Sequence, residues 1–567
     1  MFFAVMETTG GRTLEKAKEF FKHKKNRAAA AAAAAVILGI GLYWGLGRGG
    51  NTAELLYKAE KKLPDQKGRE MVIGIQNYQG GLHPAAAEYS GEKAVSDLLF
   101  SPLIRISTDG TTENVLADSV DVSSDHKEYT VKLKSGLKYS DGSKLTAAKV
   151  KKALLLLGDG RSSFAYKDCF ARLKGYETGK LEQAEDLKGI QVKDETTLVF
   201  KFTEADPSNM YLLTGGIGEI SDRSKNKYLY TGAYRLKGQP ANLPFELEAN
   251  PEFYNGEAKQ KKITIKNINS NNIEEMLTKG EADAAQFQAN KSLISSLQKS
   301  GVISLYYGAS DIQTVLDFCQ RRKSAVNKKE VRQAVCYAFQ KEKFAEDSAG
   351  DSGQQSFSNF KQGSFLQGTA KEAYPYSKDD AQKALESAGY KKNKKGIWEK
   401  DGKELSLTLK ADGILYADLF VKQFSKDMKA AGIKVKTTDS EEYDLYYHNT
   451  AVPELTSVRG FLDERNFQDE KITAFESRLK KAGDLKEAGK ICRELDERIT
   501  EQALCMPVYA ERKFTAVGNG EHNIKVKNME ALRAGCAQMR KESICLWQIA
   551  FGAQSVQAPQ RVKGWGR

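Results

Sequence analysis

The residues able to do chemistry in this chain are few, and their spacing rules out more than it offers. Seven cysteines (Cys169, Cys319, Cys336, Cys492, Cys505, Cys536 and Cys545) include no CxxC pair, and only five histidines are present to join them. A zinc site needs close thiolate or imidazole pairs, so none is expected. Gly215-Gly216-Ile217-Gly218 lacks both the lysine of a phosphate loop and the third-glycine spacing of a dinucleotide fingerprint. Neither GxSxG nor HExxH occurs. Asp463-Glu464 has the character of a solvated helix face. No catalytic residue, cofactor or resident metal is therefore expected. A binding cluster is a better fit: Tyr446, Tyr447, His448 and Asn449 follow a strand pattern and offer flat apolar walls with hydrogen-bonding tips. Alternation along a strand sends Tyr446 and His448 to one face and Tyr447 to the other. An imidazole at 448 would also suit a nickel complex.

Such residues need a scaffold, and the hydrophobic pattern supplies one. A strand is expected over Met71–Gln76, running into the Gly-rich turn Asn77–Pro84 and then a helix over Gly91–Phe100. Leu103–Asn114 has hairpin character around Asp109-Gly110. From Leu116 the pattern predicts a short helix, then strands that include Tyr129–Leu133. A turn at Asp141-Gly142 and a helix capped by Thr146 complete the stretch. Later strands are expected at Leu198–Phe202, Phe245–Glu248, Lys262–Ile268, Ser406–Lys410 and Lys434–Thr437. Helices are expected at Asn272–Lys279, Asn290–Lys299, Lys328–Phe344, Lys378–Ala388, Tyr416–Ala431 and Asp484–Gln502. Helices alternating with strands in two blocks indicate two α/β lobes.

The chain has 567 residues, 87 Lys+Arg against 74 Asp+Glu, and a net charge of +13. The basic residues are spread among acids without a nucleic-acid-binding motif, so a nucleic-acid partner is not expected. Ala28–Gly47 is 20 uncharged residues, about the length of a bilayer-spanning helix. Arg12, Lys16, Lys18, Lys22, Lys24, Lys25 and Arg27 precede it. The positive-inside bias places 1–27 in the cytoplasm and the remainder outside, making 28–47 a single-pass signal anchor. Residues 48–68 read as a linker and 536–567 as a basic tail.

One family resemblance joins these pieces. Leu116-Ala117-Asp118-Ser119, Tyr129-Thr130-Val131-Lys132-Leu133, Gly136-Leu137-Lys138-Tyr139-Ser140-Asp141-Gly142 and Leu145-Thr146-Ala147 stand in this order. Together they resemble the early signature of the extracytoplasmic solute-binding proteins of peptide/nickel-type ABC importers. Gly81-Leu82-His83-Pro84, Thr231-Gly232-Ala233-Tyr234, Asn250-Pro251-Glu252-Phe253-Tyr254, Gly280-Glu281-Ala282-Asp283-Ala284-Ala285, Val331-Arg332-Gln333-Ala334, Ala388-Gly389-Tyr390 and Gly432-Ile433-Lys434-Val435 resemble later motifs of that family. There are departures. The family often has Asn where Cys319 stands and an acidic–Arg pair where Gln340-Lys341 stands. Many peptide-binding members also carry, shortly after the position of Leu445, an Asp that pairs with the ligand's α-amino group. Here no acid follows until Glu454.

The resemblance implies a two-lobed periplasmic-binding-protein-like α/β fold with an extra subdomain. Lobe I would comprise 69–305 plus 505–535, with a subdomain at 93–207, and lobe II would comprise 306–504. It implies an interlobe cleft whose ligand meets Gln76, Asn77, Tyr78, Gln79 and Gly80 from the first strand's end, and Phe164 and Tyr166 from the subdomain. Tyr446, Tyr447, His448 and Asn449 would face it from lobe II. The implied function is capture of an oligopeptide or similar small solute outside the membrane for an ABC permease. The alternatives are a membrane-tethered peptide sensor or adaptor without transport, or a binder of nickel complexes.

Overall fold

The computed structural model describes residues 54–520, apart from 64–69, 178–186, 223–226, 239–241, 321–323, 351–352, 370, 415 and 468. The basic segment 1–27, the apolar run 28–47 and the tail 536–567 lie outside the described residues, as does part of the 48–68 linker. No helix among the described residues is long and apolar enough to cross a membrane.

A single twelve-stranded sheet organises the chain. Its order is Tyr234–Leu236, Phe245–Ala249, Lys262–Asn267, Met71–Ile75, Ala284–Gln288, Cys505–Gly518, Ile303–Phe318, Leu445–Ala451, Ser406–Ala411 and Lys434–Thr437. Glu54–Tyr57 and Gly353–Gln355 are added to the two long strands. Met71–Ile75 (MVIGI) is buried on both faces, as suits a strand with parallel neighbours on each side. Around it, Leu99, Phe100, Leu247 and Ile265 form one apolar cluster, and Leu277, Leu297 and Phe514 another. Beyond the long strands a separate core gathers Phe339, Phe344, Phe420, Phe424 and Leu409. These are the two α/β lobes.

The long strands Ile303–Phe318 and Cys505–Gly518 are common to both lobes. They pair antiparallel from Ile303↔Gly518 to Asp317↔Cys505, with a register slip between Ala309 and Gln313. On the first-lobe side of the slip, Cys505–Gly518 pairs with Ala284–Gln288. On the second-lobe side, Ile303–Phe318 pairs with Leu445–Ala451. Beside them, the four-stranded sheet Ala117–Val122, Glu128–Leu133, Thr197–Lys201 and Ile190–Val192 packs on the helix Ala147–Leu157. This helix is capped as expected by Thr146, which accepts from the Lys149 amide. The cluster built there runs on into Leu455, Phe461, Leu495 and Cys505. A salt bridge from Arg459 to Asp206 at 2.7 Å joins the same two regions.

Two local expectations are corrected. The stretch opening at Leu116 is the strand Ala117–Val122, because Val120 and Val122 sit opposite Val131 and Tyr129. Cross-strand pairing of β-branched and aromatic residues there outweighs the helical leaning of Leu116-Ala117. The single helix expected over Lys328–Phe344 is two, Lys329–Ala338 and Lys341–Ala349. The chain turns at Phe339, whose ring packs between those of Phe344, Phe420 and Phe424. The Gln340 amide then donates to Asp427.

Asp311 lies within the register slip and is buried. Its carboxylate meets Lys513 Nζ at 2.6 Å and Lys361 Nζ at 2.7 Å. Burial pushes this carboxyl up, but the two ammonium groups outweigh it and hold it at about 2. Burial takes Lys513 the other way, down to about 8, against the attraction of Asp311, which it shares with Lys361. Removing the shared anion would leave two cations in a low-dielectric setting, a situation that costs about 3–5 kcal/mol. Asp311→Asn is expected to lower the stability read from urea unfolding by about that amount, and Asp311→Asn with Lys513→Met to recover part of the loss.

Candidate functional site

The end of the first strand is shaped by one carboxylate. After Ile75 the chain leaves the sheet through Asn77 (φ 55°) and Gly80 (φ 104°), both in the left-handed region. Glu92, in the first turn of the helix Ser90–Leu99, is buried beneath this loop. Its Oε1 accepts from the amides of Gln79 (2.7 Å) and Gly81 (3.1 Å), and its Oε2 from those of Glu88 (2.9 Å) and Tyr89 (3.2 Å). One side chain therefore satisfies four backbone donors and fixes the loop. Asn77, Gln79 and Gly80 are exposed, and Gln76 is half-buried. Tyr78 turns toward the first-lobe core, its ring 5.5 Å from that of Phe245. Burial, with Glu92 adding to it, pushes its hydroxyl up to about 12.

Phe164 and Tyr166 are brought together. Their rings meet edge to face at 5.7 Å, and Tyr166 does the same with Tyr211 at 4.7 Å. They line a cavity of about 140 Å³ with Phe100, Lys93, Asp97 and Arg105. A second cavity, of about 190 Å³, is lined by Tyr446 and His448 with Tyr443, Asp317, Glu464 and Arg465. Ligand pockets for whole small molecules run to roughly 300–1,000 Å³. Each cavity therefore has room for a side chain or a chain end. Gln76, Asn77, Tyr78, Gln79 and Gly80 line neither of these two cavities.

In the second cavity the strand alternation is visible. Tyr446 and His448 stack at 4.3 Å on one face. Tyr447, counted among the ligand-facing residues from sequence, is instead wholly buried on the other face, stacked on Phe420 at 3.6 Å. The second-lobe core takes that ring because a period of two leaves it no other side. Asn449 is exposed and sits opposite Thr314. His448 Nε2 lies 2.8 Å from Asp317 Oδ2, and its Nδ1 lies 2.9 Å from the Asn449 carbonyl oxygen. Both ring nitrogens are thus occupied by protein. Among the described residues there is no group of three or more His, Cys, Asp or Glu placed to hold a metal. Asp317 also accepts from Arg465 Nε at 3.1 Å. Burial pushes the Asp317 carboxyl up, but Arg465 and His448 outweigh it and hold it well below the usual carboxylate range.

Glu92, Asp317 and Arg465 escaped the sequence reading. For Glu92 a signal existed: a glutamate at the third position of a helix that follows a Gly-rich turn is placed to reach back to the cap. Asp317 and Arg465 are 148 residues apart, and no local pattern announces the pair.

His83 closes the loop region. It packs against Phe100 (5.4 Å) and Tyr228 (5.6 Å), and its Nδ1 accepts the Ala85 amide at 3.2 Å. Its buried Nε2 has no partner among the described residues. Burial pushes this imidazole down to about 4. The unfolded chain therefore binds the extra proton between about pH 6.5 and 4, and the His83 contribution is complete above that window and lost as pH falls through it. Stability is expected to drop by up to about 3 kcal/mol across the window. His83→Leu is expected to flatten that part of the stability–pH curve. Glu92→Gln, which points an NH₂ at backbone donors, is expected to cost about 2 kcal/mol and to speed hydrogen exchange at the Gln79 and Gly81 amides.

Comparison with known proteins places this architecture. Residues 111–456 match the family described as "Bacterial extracellular solute-binding proteins, family 5 Middle". The oligopeptide-binding protein OppA of Bacillus subtilis is 28% identical over 240 residues, covering 39% of this chain and 44% of that protein. The match thus spans under half of that relative's length. Among solved structures, a nickel ABC transporter from Bacillus halodurans is similar with a TM-score of 0.66 at 18% identity, over 80% of this chain and 95% of that one. A putative peptide-binding protein AppA from Clostridium difficile gives 0.62 at 19%, over 79% and 95%. Identities this low speak for a shared two-lobed α/β fold and are silent on the ligand.

Proposed function

Because the chain belongs to the bacterial extracellular solute-binding proteins of family 5, we propose that it captures an oligopeptide or similar small solute between its two lobes and presents it to an ABC permease. The family match across 111–456 carries this reading. The sheet supports it: two lobes joined through two long strands can swing about the register slip at Ala309–Gln313 and close on a ligand. The ligand would then be held by the loop Gln76–Gly80, the wall of Phe164 and Tyr166, and the face of Tyr446 and His448, with Asn449 at its margin. The order of preference for ligands is peptide first. A nickel complex is less well served, because both nitrogens of His448 already have protein partners. The protein's part is binding and release, with no bond made or broken.

The same reading assigns the remaining segments. Residues 28–47 anchor the protein in the bacterial plasma membrane as a single span and 1–27 stay in the cytoplasm, while the linker expected over 48–68 gives way to the folded part at the strand Glu54–Tyr57, which pairs with Ile303–Phe318. The lobes divide as 69–305 with 505–535, including a subdomain at 93–207, and 306–504. Closure would complete the permease-facing surface, so that binding and docking are coupled.

A thermal-shift panel on the purified full-length chain tests the ligand class, with a mixed peptide pool, nickel–histidine and a set of monosaccharides as the probes. The peptide pool is expected to raise Tm by several degrees, and the other two to leave it unchanged. A shift with monosaccharides and none with peptides would overturn the reading. A shift with nickel–histidine alone would move the ligand class to metal complexes.

A further inference from the structure

The second cavity is bordered by an ion pair that is only half made. Asp317 has two carboxylate oxygens, and each is taken by a different side chain: Oδ1 lies 3.1 Å from Arg465 Nε, and Oδ2 lies 2.8 Å from His448 Nε2. A guanidinium often meets a carboxylate through two parallel N–H bonds. Here His448 holds the oxygen that the second bond would use, so Arg465 keeps a nitrogen in reserve. Its Nη2 is buried and, among the described residues, has no hydrogen-bond partner. The side chain is 4% exposed, and its Cζ lies 4.6 Å from the centre of the Phe461 ring, which holds the guanidinium in place. Arg465 ends the helix Val458–Arg465 and lines the cavity of about 190 Å³.

A buried donor without an acceptor is costly, and the cavity is the space through which an acceptor can reach it. The neighbours decide which kind. Asp317 and Glu464 both line the space, and Glu464 also acts on Arg465 electrostatically. The Cys505 thiol beside the pair is held neutral by burial and adds no charge. A carboxylate from the solute would approach two anions already in place, while Arg465 is already answered by Asp317. An ammonium group would meet Arg465 itself. A neutral acceptor meets neither penalty. Flat rings supply another wall, with Tyr443 and Tyr446 5.2 Å apart and Tyr446 and His448 4.3 Å apart. The Tyr446 hydroxyl is engaged by Asp412 at 2.7 Å, so that residue offers its ring. Building on the reading of the chain as a solute-binding protein, we propose that this cavity receives the side-chain amide of a Gln or Asn in the bound peptide. Arg465 Nη2 donates to the amide carbonyl, Glu464 accepts from the amide NH₂, and the amide plane lies on the rings. The volume suits one such side chain.

The test uses the full-length chain and three pools of short peptides that differ at one position, which is Gln in the first, Glu in the second and Met in the third. Titration calorimetry of wild type is expected to show at least about tenfold tighter binding of the Gln pool than of the other two. Arg465→Lys leaves Asp317 its counter-charge but has no second nitrogen, and is expected to bind the Gln pool no better than the Met pool. If its ligand-free Tm falls, Asp317→Asn with Arg465→Met removes both charges together and is read the same way. Glu464→Ala, at an exposed position, is expected to weaken the Gln pool and strengthen the Glu pool. Equal binding of all pools by wild type, or a preference for the Glu pool, overturns the amide proposal while leaving peptide capture intact. A Gln preference that survives the loss of Arg465 overturns the role of its Nη2, and unchanged affinities in Glu464→Ala overturn the role of Glu464. Binding of no pool overturns peptide capture itself, and the proposal with it.

Discussion

Everything in this molecule hangs on the pairing of two strands, Ile303–Phe318 with Cys505–Gly518. They are the longest strands among the described residues, and the sheet continues outward from them in both directions, with one lobe on each side. An uninterrupted ladder of this length would make a stiff plank. The register slip between Ala309 and Gln313 removes regular hydrogen bonds at the point where the sheet passes from one lobe to the other. A buried carboxylate, Asp311, occupies that point and is held by a lysine from the strand and another from the second lobe. The crossing is weakened in its backbone and secured by charge, which is the combination a hinge requires.

Buried carboxylates do similar work elsewhere. Glu92 gathers four amides and fixes the loop that leaves the first strand. Asp496, in the helix Leu485–Glu501, accepts from Ser358, Asn359, Gly368 and Thr369 and ties the 358–369 loop to the second lobe. Asp317 clamps His448 and Arg465 beside the second cavity. Glu92 and Asp496 are acids on regular elements that satisfy donors on irregular ones, so those loops keep one shape without needing an apolar core of their own, while Asp317 ties a strand to a neighbouring strand and a helix.

Much of the scaffold was legible in the sequence because it is written locally. Thr146 announces its helix, Gly142 takes the left-handed turn its position suggested, and the alternation at Tyr446–His448 fixes which rings share a face. Two kinds of feature were not legible. The long strands were hidden because ISLYYGASDIQTVLDF breaks its own apolar pattern at Gly308–Asp311, where the register slips. Long-range charge pairs were hidden because their partners are distant in sequence: 202 residues separate Asp311 from Lys513. The same holds for the first cavity, where Lys93 meets the loop of Phe164 and Tyr166 only after folding. Tyr447 shows the limit of a residue-type argument, since an aromatic at a binding strand is as useful to the core behind it.

The central claim is that this chain closes around a solute it carries between its lobes. Mass spectrometry of whatever is released when the full-length protein, purified without added ligand, is denatured addresses that claim most directly. The account predicts a peptide or peptide-like solute at about one equivalent per chain. Release of sugars or nucleotides in that proportion, with no peptide, would contradict it.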